Sequence, residues 1–129
     1  MKKKIRKIVI ENNTYLYRTL QKQIRPDLSR FILRVFLEHA RSNPLVIEFL
    51  VREGYITGNP LNMGVMLFNY KTQGYCYLNM NYPRYIREMI LLGLKKGWTG
   101  TSLLNVPDGI TWLQELGFDT TDLVPVTSG

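Results

Sequence analysis

The spacing of apolar positions changes once along this chain, about two-thirds of the way in. The change separates a region of strand patterning from a region of helix patterning. Thr14 to Gln23 sets Tyr15, Tyr17 and Thr19 against Leu16, Arg18 and Leu20, which is the period of two expected of a half-buried strand. Ahead of it, Lys4 to Ile10 ends in Ile8, Val9 and Ile10, good strand formers, and Glu11-Asn12-Asn13 is turn chemistry. The two runs predict a first hairpin. Arg25-Pro26-Asp27 ends it, because proline removes a ladder donor and restricts the residue before it.

Leu28 to Arg41 fits both periods. As a strand it puts Phe31, Leu33, Val35 and Leu37 on one face and Arg30, Ile32, Arg34, Phe36 and Glu38 on the other. As a helix capped by Asp27 it gathers Arg30, Arg34, Glu38 and Arg41 into one polar stripe. Residues 52–56 would then read as the end of a winged-helix recognition helix. The strand is preferred. Ser42-Asn43-Pro44 reads as a turn, and Leu45 to Val51, apolar except at Glu48, suits a central strand rather than an isolated, wholly buried helix.

Residues 54–64 hold three glycines and a proline and predict a loop. Val65 to Asn69 and Tyr75 to Met80 form a second hairpin across Tyr70 to Gly74. The helical period then takes over in Asn81 to Gly97. Pro83 suits a first turn, Asn81 or Tyr82 the cap, and Gly97 the left-handed stop. Ile86, Met89, Ile90, Gly93 and Leu94 fall on one stripe of this helix, opposite Arg84, Arg87, Glu88 and Lys95. A second helix is expected to start at Asn105-Val106-Pro107-Asp108, to bury Ile110, Trp112, Leu113 and Leu116, and to stop at Gly117-Phe118. Strands first and helices last predict an α+β domain over residues 1–119. It should have about five or six antiparallel strands and two C-terminal helices packed on one face, with residues 120–129 as a tail.

Composition bounds the class. At 129 residues, 45% hydrophobic and 21% charged, the chain has the composition of an ordinary globular domain. Cys76 is its only cysteine, which excludes an internal disulfide and points to a reducing, cytoplasmic setting. No apolar run reaches the roughly 18 residues that cross a bilayer, and the basic start leads into too short an apolar stretch for a signal peptide. The net charge of +7 is uneven. Residues 1–36 hold ten Lys or Arg against Glu11 and Asp27, so that third carries more than the whole excess. Such asymmetry marks either an anionic partner or a solvated basic terminus.

Three segments, GNPLNMGV (58–65), YIREMILLGLKKGWTG (85–100) and GITWLQELGFD (109–119), resemble a group of small, uncharacterised bacterial proteins. The resemblance covers about half of the chain. It implies a free-standing single domain and brings no activity with it.

Candidate chemistry is sparse. His39 is the only histidine, and Glu38 beside it would face the other side of a strand, so the reading is a structural histidine and no metal site. Cys76, between Tyr75 and Tyr77, has no basic neighbour to lower its pKa and reads as a packed thiol. No glycine pair makes a phosphate-binding fingerprint, and no pair of acids is marked for proton transfer, so neither an enzyme nor a cofactor is expected. Residues 73–80, QGYCYLNM, loosely resemble the aromatic strand of RNA-recognition domains. They depart from it at Gln73 and Met80, and the strand and helix order differs.

Two surfaces remain as candidates. Arg18, Arg30 and Arg34, with Lys7, would present cations among apolar neighbours on one face of the sheet, suited to phosphates or carboxylates. Tyr15, Tyr17, Tyr75 and Tyr77 would form an aromatic interface. The expectation is a non-catalytic, immunity- or adaptor-like binding protein with a protein partner. A nucleic acid held by the basic N-terminal third is the alternative, and a homodimer would close the open face.

Overall fold

The computed structural model describes residues 5–53 and 58–124. The expectations for 1–4, 54–57 and 125–129, including part of the loop and of the recognition-helix alternative, lie outside the described residues. The fold is α+β. Five strands make the main sheet, β1 (Arg6–Ile10), β2 (Asn13–Arg25), β3 (Leu28–Leu37), β4 (Ala40–Arg52) and β7 (Leu104–Val106), in the order β1-β2-β3-β4-β7. β1 to β4 form an antiparallel meander, and β7 joins β4 in parallel. A separate hairpin pairs β5 (Val65–Asn69) with β6 (Gly74–Leu78), and the described residues hold three helices: α1 (Pro60–Met63), α2 (Pro83–Lys95) and α3 (Ile110–Glu115).

Period-two patterning decides the meander, and the ambiguous stretch from Leu28 is a strand. Phe31, Leu33 and Val35 of β3 and Leu45, Ile47, Phe49 and Val51 of β4 are fully buried. Arg30, Ile32, Arg34 and Phe36, the alternate set, are only half-buried. A helix would have mixed these two sets on one surface. The first hairpin turns as expected, with Glu11 in the left-handed region at φ 57°.

The turn expected at Ser42-Asn43-Pro44 is not a turn. The chain reverses at Glu38-His39, and residues 41–44 form a bulge in β4, where Leu45 pairs with Val35 and Ala40 with Leu37. A bulge leaves backbone groups outside the ladder, which is where a strand tolerates proline. Trp98 fastens this bulge: its ring packs on Tyr15 at 5.9 Å and its Nε1–H donates to the Asn43 carbonyl at 3.0 Å.

Four further expectations need correction. The sheet is five-stranded with one parallel pairing, and β5–β6 stands apart from it. The predicted loop hides α1, which Asn59 caps by accepting the Leu61 N–H at 3.0 Å, with Pro60 at the first position. Leu104 to Val106 is a strand, because the residues expected to start a helix lie along β4, and α3 begins only at Ile110. Nor is 120–124 a free tail, since Leu123 is fully buried and its carbonyl accepts the Arg52 N–H at 2.7 Å.

α2 follows its pattern closely. Tyr85, Ile86, Met89, Ile90 and Gly93 are buried, Tyr82 is the cap, and Gly97 at φ 109° ends the helix. The segment after α3 is tied to β5: Tyr70 N–H donates to Gly117 O at 2.7 Å and Asp119 N–H to Phe68 O at 2.8 Å.

Gly109 fits tightly against β4. A Cβ there would come within 2.6 Å of Phe49 and 2.8 Å of Ile47, both immobilised in the core. Gly109→Ala should therefore cost about 1–3 kcal/mol by overpacking, read as a lower urea midpoint.

Asp119 is held below the ordinary carboxylate range by hydrogen bonds from the Thr121 hydroxyl and backbone N–H and from the Tyr70 hydroxyl. A carboxylate so lowered contributes stability that is present above its unfolded pKa and is lost as pH falls through the folded value. The melting temperature of Asp119→Asn should accordingly fall less steeply than that of the parent across the acid range below about pH 4.

Candidate functional site

Register fixes which side chains share a face. Across β2 and β3, Leu16 lies opposite Phe36, Arg18 opposite Arg34, Leu20 opposite Ile32 and Lys22 opposite Arg30. Each pair projects to the same side of the sheet, so apolar and cationic rows alternate about 7 Å apart, two strand residues per step. On β1, Lys7 lies opposite Leu16 and joins this face. Arg52 of β4, opposite Leu28, extends it on the other flank.

Carboxylates answer the cations only in part. Arg30 meets Glu48 at 3.4 Å and Lys7 meets Glu38 at 3.3 Å, both pairs partly exposed and therefore of small energetic weight. Arg18 and Arg34 have no such partner among the described residues, although they stand directly opposite each other. The Nε atoms of Arg18, Arg34 and Arg52 are shielded from solvent and have no hydrogen-bond acceptor among the described residues. Two cations directly opposite each other cost the fold free energy that an incoming anion would return. Beside Arg34 a shallow groove of about 420 Å³ runs between Ile32, Val46, Pro44 and Leu103.

The four predicted cations thus share one face, with Arg18 and Arg34 directly opposed and Lys7 and Arg30 towards its two ends. The four predicted tyrosines do not. Tyr15 and Tyr17 are both 3% exposed, because odd positions of β2 face Val35 and Leu37 on the core side, so they belong to no surface. Burial raises the pKa of the Tyr15 hydroxyl. Tyr75 and Tyr77 are exposed at 71% and 43%, on the separate β5–β6 hairpin. Tyr75 packs edge-on against Phe68, and Tyr77 donates its hydroxyl to the Met63 carbonyl at 3.1 Å.

Two cations escaped the sequence reading. Lys22 has the parity of Arg18 and was legible from the β2 alternation alone. Arg52 could be placed only with the β3–β4 register. Elsewhere, His39 is exposed, Cys76 is half-buried with its sulfur 3.7 Å from the Thr72 hydroxyl, and no cluster of His, Cys, Asp or Glu able to hold a metal occurs among the described residues. No helix among these residues is long and apolar enough to cross a membrane.

No family model matches the chain, and neither a curated protein nor a solved structure does.

The opposed arginines make a direct prediction. Arg34→Gln removes a like-charge pair, so it should raise stability by about 0.2–1 kcal/mol in urea unfolding at low salt, and the gain should shrink as salt is added.

Proposed function

We propose that the protein is a non-catalytic binding protein, resident in the cytoplasm, that docks an acidic surface of a protein partner on the Arg18–Arg34 face of its sheet. On this reading α2 and α3 both cover the opposite face. Support comes from Gly93, whose Cβ position lies 2.6 Å from Leu45, and from Gly109 against Phe49 and Ile47. The observation that carries the proposal is the pair Arg18 and Arg34, directly opposed without a carboxylate partner among the described residues, between rows formed by the buried Leu16 and the half-buried Leu20, Ile32 and Phe36. Guanidinium groups set in apolar surroundings suit carboxylates strongly, because the neighbours exclude water from the ion pair.

A nucleic acid is the second reading, favoured by the cationic rows Arg18/Arg34 and Lys22/Arg30. It ranks below the first because single-stranded bases need exposed aromatic platforms, and the aromatic side chain in the row next to Arg18/Arg34, Phe36, is half-buried opposite Leu16.

The triple variant Arg18→Gln, Arg30→Gln, Arg34→Gln separates the readings. It should keep the parent's circular dichroism and lose about 1 kcal/mol or more of partner affinity per contact removed, measured on the protein captured from native lysate. Recovery of nucleic acid alone, with affinity falling steeply in salt, would replace the first reading by the second. Unchanged binding at matched salt would remove both.

A further inference from the structure

β1 covers only part of β2. Their pairing runs from Ile10 with Asn13 to Arg6 with Tyr17, and β2 then continues to Arg25. Beyond Tyr17, no strand among the described residues pairs with β2 on that side. Thr14 gives its carbonyl to Glu38 N–H, on the β3 side. By alternation the backbone groups of Thr19, Gln21 and Gln23 point away from β3, along this open edge. Residues 21–25 are all exposed, and a polar notch of about 140 Å³, lined by Arg6, Arg18, Thr19 and Asn81, opens where β1 stops. Natural sheets cover such an edge or keep it for a partner.

The side chains along the edge select the occupant. On the open face they run Arg18, Leu20, Lys22, and β2 contains no acid. A second copy pairing antiparallel about Leu20 would set Arg18 directly against Lys22, a repulsive arrangement. A strand with acids two residues either side of an apolar residue places them against Arg18 and Lys22 and its centre against Leu20.

We propose that residues 18–23 of β2 accept an extended acidic segment of the partner protein as an added strand, of pattern acid-x-apolar-x-acid. This deepens the reading of the basic face and rests on it. Strand hydrogen bonds from Thr19, Gln21 and Gln23 would supply affinity, and the three open-face side chains the selectivity.

The test uses the full-length chain, labelled for amide exchange, and the synthetic peptide Thr-Glu-Thr-Val-Thr-Glu-Thr. Saturating peptide should slow exchange at Thr19, Gln21 and Gln23 by about tenfold or more. Replacing both glutamates by lysine should abolish binding. Replacing the threonines flanking valine by proline should weaken it by about tenfold. Lys22→Gln, at an exposed position that should not disturb folding, should weaken it several-fold. Absence of protection at these amides, or a chain that sediments as a dimer with the same amides already protected, would overturn the proposal. The double variant Arg30→Gln, Arg34→Gln separates the two claims. Partner capture lost in that variant, with no amide protection by the peptide, removes strand addition and keeps the face. Amide protection, with capture unchanged in that variant, removes the face and keeps strand addition.

Discussion

Everything in this molecule depends on the separation of odd from even positions in β2, β3 and β4. Phe31, Leu33 and Val35 meet Leu45, Ile47 and Phe49 on one side of the sheet, all fully buried. Each such side chain contributes roughly 1.5–3 kcal/mol on burial, so a one-residue slip of register would forfeit most of the core. That penalty also holds the arginines in place. The even positions cannot leave their face without dragging the odd ones out of the core. A cationic surface which the local pairing of Arg18 with Arg34 disfavours is thus maintained by hydrophobic burial on the reverse side.

Elements governed by local chemistry were legible in the sequence. The first hairpin, the Pro26 turn, the β5–β6 hairpin and α2 each carry their own signals, and each is found where those signals put it. The choice of strand for residues 28–37 was legible for another reason: the neighbouring apolar run, Leu45 to Val51, needed a strand beside it. Elements that depend on distant partners were not. β7 is three residues long, and only β4, some sixty residues earlier, makes it a strand. Ser42-Asn43-Pro44 has the composition of a turn and serves as a bulge, because a longer-range ladder resumes beyond it.

The candidate site divides along the same line. Arg18, Arg30 and Arg34 were found because parity within a strand is a local property. Their convergence needed only β2 and β3 to pair as a hairpin does. The tyrosines misled because period two says that two faces exist but not which is covered. Tyr15 and Tyr17 shared a strand with Arg18 on opposite faces, so the aromatic and basic candidates could never both have been open there. Trp98, fully buried against Tyr15 from beyond α2, decides which face closed, and no local pattern announces that contact.

The parallel pairing of β4 with β7 has a consequence for the order in which the chain assembles. Within the meander, β1 to β4 pair only with their sequence neighbours and can zip up as they emerge, since short loops close at little entropic cost. The outer edge of β4 must wait for Leu104–Val106, and cover of the apolar side of the meander is complete only with residues as late as Leu123, all synthesised after the meander. Until then the nascent chain exposes Phe49, Ile47 and Leu45 beside an uncapped edge, the kind of surface that draws intermolecular association. Completion of this fold therefore follows synthesis of the segment beyond α2, and the uncovered meander is the stage most open to association.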